Sequence, residues 1–513
     1  MTSSGIILDG HSLDVAGVVA VARRHSSVAL HPDVGIRLGR VRERLEALVA
    51  TGQPVYGVNT GFGRLSDIAI PPDRLSELQV SIIRSHAAGV GAPLGEAEAR
   101  AVTVLRANVL AKGYSGIRAE VVELLLALLN AGLFPHIPEQ GSVGASGDLA
   151  PLAHLALALI GEGALCRGRE VLPSSELLAA VGLAPVVLGP KEGLALINGT
   201  QAHTAIAALG VADARTLWAT AHVAGAATLD ALLGTPVAFE DRIHRVRGQP
   251  GQVLSAAVFR GLTQDSAIRE SHRANDPRVQ DAYALRCMPQ VHGPIIEAIE
   301  FAEGVIAREL NAATDNPLVF EDGSMVSGGN FHGQSVGMAC DFLAIALTNL
   351  GAMSERRIDR LVNPDLNQGL PPFLARDPGV NSGFMMAQVT AAALASECKG
   401  LAHPASVDSI PTDGGKEDFV PMAMGAAVKL RKVVQNVRHI LAIELLCAVQ
   451  GLEFRRPLTS SAPVERAMAT LRGAVPTMER DRMLSPDIAA VAEQVERGAY
   501  EHIVADLRVG PLY

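Results

Sequence analysis

From about Asn198 onward, apolar side chains recur every three or four positions over long stretches. These are TQAHTAIAALGVADARTLWATAHVAGAATLDALLG, GPIIEAIEFAEGVIARELNAAT, FHGQSVGMACDFLAIALTNLGAMSERRIDRLV and MGAAVKLRKVVQNVRHILAIELLCAVQGLEF. That spacing is the helical period, so each stretch predicts a helix with an apolar stripe. Helices of this length bury their stripes best against one another, which predicts a bundle. In places the pattern is apolar nearly all round, which also points to packing between subunits. Residues 1 to about 200 read differently. Strand-like pieces such as GIILD alternate with helical ones such as VGIRLGRVRERLEALVATG, and Gly and Pro recur between them. This predicts irregular α+β structure. The expected organisation is an N-terminal segment 1–200, a central long-helix bundle 201–480 and a helical tail 481–513.

Composition supports a mainly α protein. Of the 513 residues, 48% are hydrophobic but only 4% aromatic, so Ala, Leu and Val dominate, which suits packed helices better than sheet sandwiches. The formal net charge of -9 gives no footprint for nucleic acid or for an anionic membrane surface. Apolar runs are interrupted by Glu123, His154 and Asp341, and none reaches the ~20 uninterrupted residues of a membrane span. The N-terminus lacks the basic start of a signal peptide. The five cysteines (Cys166, Cys287, Cys340, Cys398 and Cys447) are scattered without a CxxC pair, as expected of reduced thiols in the cytoplasm. No HExxH or comparable metal spacing occurs, and no GxxxxGK[ST] phosphate loop, so no metal and no external cofactor is expected.

The chemistry concentrates in GSVGASGDLAPLAHLALAL, from Gly141 to Leu159. Ala145, Ser146 and Gly147 lie directly before an apolar run that opens with Asp148 and carries Pro151 in its first turn, which predicts a helix N-terminus there. Such a turn serves equally as a plain loop and cap. It also has the composition that lets a backbone nitrogen attack a carbonyl two residues earlier, because no side chain crowds the loop. The Gly147 nitrogen, the Ala145 carbonyl and the Ser146 hydroxyl would then yield a dehydrated five-membered ring, an electrophile made from the chain itself.

This stretch resembles the signature of the histidine, phenylalanine and tyrosine ammonia-lyase family, whose Ala-Ser-Gly forms a 4-methylideneimidazole-5-one (MIO) group. Further motifs of that family recur in order from Tyr56 to Glu417, covering most of the chain. The resemblance implies a smaller N-terminal α+β domain carrying the MIO and a long-helix bundle of the fumarase and aspartase superfamily architecture. It also implies a homotetramer whose active sites combine residues from several subunits. Under it, Tyr56 in PVYGVNTGFGR is the general base for a β-proton, a role that needs positive charge or hydrogen bonds to depress the phenol. His86 in RSHAAGVG lies where the substrate ring rests. The Ser-His dipeptide is similar to that of histidine lyases, not to the His-Leu or Phe-Leu of the tyrosine and phenylalanine enzymes.

Asn198, which reads as an ordinary cap opening the first long helix, acquires a role in binding the MIO region and the substrate amine. Gln280, Tyr283 and Arg286 are spaced three apart, so on a helix they share one face, either as an exposed polar stripe or as site residues. By the resemblance, Gln280 binds substrate, Arg286 clamps its carboxylate and Tyr283 supports MIO formation and proton handling. Phe331, after Gly-Gly-Asn, would line the pocket, and Glu417 would face the substrate imidazole. Four stretches depart from the usual histidine-lyase pattern: DGGKED for SANQED, FHGQS for FHAEP, DAYALRCMPQVHG for DPYSLRCQPQVMG, and FVPMAMG for the segment around HVSMG. The implied activity is elimination of ammonia from L-histidine to give trans-urocanate. The alternatives are a MIO lyase or 2,3-aminomutase acting on tyrosine or another aromatic amino acid, and a helical scaffold that has lost catalysis.

Overall fold

The computed structural model describes residues 5–274 and 276–510; residues 1–4 and 511–513, the outer ends of the first and last expected segments, lie outside the described residues. The chain divides into two compact units. One comprises residues 1–212, 302–341 and 404–428, and the other 213–301, 342–403 and 429–513. The first unit gathers all the short strands. Ile6–Leu8 pairs in parallel with Val28–Leu30, Val90–Pro93 is antiparallel to Pro138–Gln140, and Phe134–Pro135, Ala164–Arg167 and Glu170–Pro173 form a three-stranded sheet. GIILD therefore contains a strand, and VGIRLGRVRERLEALVATG lies in the helix Pro32–Ala50 up to its final Thr51 and Gly52.

The four long periodic stretches form the helices Gln201–Ala231, Met288–Glu309, Gln334–Val362 and Ala423–Glu453. The unit boundaries fall within all four. Every residue from Gln201 to Val211 is buried, so the near-continuous apolar pattern there reflects a helix covered on all sides. Gln334–Val362 and Ala423–Glu453 are long and apolar enough to cross a membrane by length and composition, which the interrupting charges were expected to prevent. Burial explains both: 67% and 83% of their most apolar windows are covered by protein, as in core helices.

Buried charges brace each unit. In the first, Lys191 Nζ lies 2.6 Å from Asp315 Oδ2, with both side chains out of solvent. Arg100, also fully buried, donates to the carbonyls of Val21 and Leu129, so the helix Glu96–Ala111 is tied to two neighbouring segments through backbone acceptors. In the second, Arg357 pairs with Glu444, which also accepts from Thr228 and Ser354. All five cysteines are free, and four are buried.

Candidate active site

The tripeptide stands where the sequence predicts a helix start. Asp148 caps the helix Leu149–Leu159, and Ala145-Ser146-Gly147 precedes it. Gly144 and Gly147 take φ of 73° and 70°, values that favour residues without a Cβ. At Gly147 the requirement is also steric, because a Cβ would fall 2.0 Å from the Gly199 carbonyl oxygen. The two glycines form a parallel bridge, and the Asp148 amide donates to Gly199 O at 2.7 Å.

Asp148 itself faces inward. Its carboxylate accepts from Ser142 Oγ at 2.8 Å and from the His203 amide at 2.9 Å, and lies 2.9 Å from His203 Nδ1. Burial pushes this carboxyl up, but the attraction of His203 and the hydrogen bonds from His203 and Ser142 outweigh it and hold the group below the usual carboxylate range. The loop ahead of the helix is thereby locked by a fixed negative charge.

Asn198 closes the short helix Glu192–Ile197, three residues before the long helix begins at Gln201, so it ends one helix instead of opening the next. The intervening Gly199, at φ 146°, makes continuous helix impossible here. Asn198 Nδ2 donates to the Ser146 carbonyl at 3.3 Å, while its Oδ1 is buried without a partner. Arg106, fully buried, holds this turn from behind by donating to Asn198 O at 2.9 Å and to the Ala195 carbonyl.

A cavity of about 530 Å³ opens in front of Ser146, lined among others by Tyr56, His86, Leu194, Asn198, Asp413 and Glu417. A second, of about 460 Å³, shares Tyr56, Ser146, Asp413 and Glu417 with it and is bordered by Phe331 and Lys416. The Ser146 hydroxyl donates to Glu417 Oε1, and Thr412 donates to Glu417 Oε2. Glu417 is thus half-buried and engaged, while Lys416 is exposed.

His86 ends the helix Leu75–His86, and its Nδ1 lies 3.0 Å from Ser85 Oγ. The Ser85 hydroxyl donates its one proton to the Ile82 carbonyl at 3.1 Å, so it accepts Nδ1–H from the ring. The neutral imidazole then carries its lone pair on Nε2. Burial holds His86 below the usual histidine range, with the Ile82 hydrogen bond and the charges of Asp413 and Glu417 opposing.

The segment around Tyr56 is a turn-rich loop, as its glycines predict, and Gly63 N donates to the phenol at 3.4 Å. The expected depression of this phenol is not found. Burial raises it first, and the charges of Asp413, Glu417 and Asp315 raise it further against the single Gly63 hydrogen bond.

Six elements of the first unit therefore converge on the two cavities: Tyr56, His86, the tripeptide, Asn198, Phe331 and Glu417. Gln280, Tyr283 and Arg286 lie in the second unit and line neither cavity. They do not form a shared helical face, because the helix there runs only from Tyr283 to Arg286 and Asp281 is committed to the Thr235 amide and Arg278. Tyr283 is 69% exposed, with the Arg286 guanidinium 4.7 Å above its ring, and Arg286 Nε is buried without a partner. Sequence reasoning placed Asp148 at the helix start but gave its side chain no role, and it missed His203, Arg106 and Asp413. A lone arginine in the apolar run VTVLRANVL is the signal that could have found Arg106.

The residues present fit an MIO group: Gly147 leaves no room for a side chain, Ala145 is buried, and Asn198 reaches the carbonyl of Ser146. Among the described residues no group of three or more His, Cys, Asp or Glu could hold a metal ion.

An Ala-Ser-Gly tripeptide placed at a helix start, before a cavity lined by Asp413 and Glu417, fits the MIO-dependent class of lyases. Residues 13–473 match the aromatic amino acid lyase family; the chain belongs to that family and is a carbon–nitrogen lyase. The histidine ammonia-lyase of Anaeromyxobacter dehalogenans is 55% identical over 97% of this chain and 99% of its own. The crystal structure of histidine ammonia-lyase from Trypanosoma cruzi superposes with a TM-score of 0.91 at 44% identity, covering 98% of this chain and 96% of that one. A tyrosine aminomutase from Streptomyces globisporus superposes at 0.93 with 36% identity, covering 99% and 100%.

Proposed function

We propose that the protein is an MIO-dependent ammonia-lyase that eliminates ammonia from L-histidine to give trans-urocanate, acting in the cytoplasm as a homotetramer. The observation that carries the reading is the pairing of a ring acceptor with a carboxylate across one cavity: His86, fixed by Ser85, and Glu417, bonded to the Ser146 hydroxyl. The histidine ammonia-lyases among its relatives support it. The MIO ring formed from Ala145, Ser146 and Gly147 would supply the electrophile that makes an amine a good leaving group.

The chain's own residues do the rest. With the MIO ring formed, Ser146 would have no hydroxyl to donate to Glu417 Oε1, so that this carboxylate and His86 Nε2 could each accept one of the two N–H groups of a substrate imidazolium. Asn198 holds the carbonyl of residue 146 in place. Tyr56 removes the β-proton, and the amide dipoles at the start of Leu149–Leu159 stabilise negative charge that develops beside them.

The substrate carboxylate needs a cation, yet among the described residues lining the larger cavity none is Lys or Arg. Arg286, with Tyr283 and Gln280, would meet that need when another copy of the chain brings it in, which is why the reading includes a tetramer with shared sites. A tyrosine-directed lyase or aminomutase is favoured only by the likeness to the S. globisporus enzyme. The test is incubation with L-histidine, L-tyrosine and L-phenylalanine while acrylate absorbance and β-amino acid are followed. Urocanate from histidine is expected, together with an intact mass lower than the sequence mass by two waters, roughly 36 Da. Signal from tyrosine with none from histidine would overturn the substrate assignment.

A further inference from the structure

The turn 412–417 reaches two parts of the site at once. Its Glu417 end bonds Ser146, while its other end, Asp413, sits against the loop that carries Tyr56. Asp413 Oδ1 accepts the Arg64 amide at 3.3 Å. A Cβ on Gly63 would fall 2.2 Å from Asp413 Oδ2, so the carboxylate fills the space that a side chain at 63 would take. Gly63 in turn donates to the Tyr56 hydroxyl. The acid is held there by an unusual backbone: Asp413, Gly414 and Gly415 have φ of 47°, 58° and 86° in succession, closed by the Thr412 amide on Glu417 O at 2.9 Å. A non-glycine residue kept in the left-handed region at a cavity wall is strain that the surroundings must maintain.

We propose that Asp413 is a positioning residue that latches the Tyr56 loop onto the turn bearing Glu417, so that base and ring-binding carboxylate are set by one element. The order of contacts runs from Asp413 to the Gly63–Arg64 turn and from Gly63 to the phenol. This inference rests on the ammonia-lyase reading for its kinetic consequence but not for the latch itself. Asp413→Ala removes the acceptor, and Asp413→Asn keeps an oxygen in the same place without the charge.

Two readouts on the full-length protein separate the two claims. Hydrogen exchange of the amides of residues 61–66 is expected to quicken about tenfold in Asp413→Ala and less in Asp413→Asn, as for loss of one charge-assisted hydrogen bond. With histidine, kcat is expected to fall about tenfold in Asp413→Ala while KM changes little, and Asp413→Asn recovers part of the loss. The intact-mass deficit should be unchanged in both variants, because the tripeptide is not touched. Unchanged exchange in Asp413→Ala overturns the latch, and faster exchange with unchanged kcat overturns the positioning role. Wild-type protein inactive on histidine, tyrosine and phenylalanine would instead overturn the functional reading, leaving the exchange result to decide the latch.

Discussion

Replacing His86 by Leu tests how this cavity selects a ring. In the wild type, Ser85 spends its only proton on Ile82 O and therefore accepts from His86 Nδ1, leaving Nε2 as an acceptor. The apolar walls beside it, Leu78, Ile82 and Leu194, offer a substrate imidazole no substitute. With leucine, the imidazole N–H enters a half-buried site with one partner missing, at a cost of about 1–3 kcal/mol, or about 5- to 150-fold in kcat/KM for histidine. Phenylalanine has no N–H to strand, so its kcat/KM should hold or rise. Steady-state assays of both substrates on both proteins give the ratio directly. Because burial keeps His86 neutral to lower pH than its ordinary 6.5, the wild-type preference for histidine should persist through neutral pH and weaken only in more acidic buffer, as Nε2 takes up a proton. A His86→Leu protein within about threefold of wild type on histidine, or one that loses both substrates equally, refutes the acceptor argument.

Other outcomes follow from the same geometry. As a base Tyr56 would act only when deprotonated, and burial first, then the carboxylates around it, lift its titration above the ordinary 10.0, so activity should climb with pH on the alkaline side; Asp413→Asn, which removes one of those charges, should move the climb to lower pH. Lys191→Met strands Asp315 in the core and should lower unfolding stability by about 3–5 kcal/mol, read from the urea midpoint. If sites are shared between copies, Ser146→Ala and Arg286→Ala proteins, each inactive alone, should regain activity when unfolded and refolded together, whereas separate complete sites would leave the mixture silent.

Much of the fold is present as periodicity. The four long helices announce themselves because their apolar spacing persists over many turns, and the strand at Ile6–Leu8 shows as a short apolar run beside a polar break. The site is legible only through its motif, since Tyr56, Ser146, Asn198 and Glu417 are separated by dozens to hundreds of residues and no local pattern joins them. What escaped was set by backbone geometry. The end of a helix at Asn198 depends on φ of 146° at Gly199, and the irregular entry to Tyr283 depends on Asp281 being drawn to Thr235 and Arg278. Asp413 gave no signal in the sequence because its partner, the Arg64 amide, lies 349 residues away.

One missing charge accounts for two features of the cavity. Tyr56 is buried among Asp413, Glu417 and Asp315, a setting that opposes its ionisation, and the larger pocket before it has no Lys or Arg among its described lining residues to receive a carboxylate, Lys416 bordering only the smaller one. Each of these is a cost for a base acting on an amino acid, and a single cation relieves both, by pairing with the substrate carboxylate and by favouring the phenolate. Arg286 has the properties required: its Nε is buried and unpartnered, and its guanidinium lies over the ring of Tyr283 instead of against an acid. A guanidinium whose Nε has no partner among the described residues is ready for a bidentate one. Substrate binding and base activation would then depend on assembly together, and the same arginine variant that weakens carboxylate binding should also push the alkaline climb of activity upward. An Arg286→Gln protein with raised KM but an unmoved pH profile would separate the two effects and break this argument.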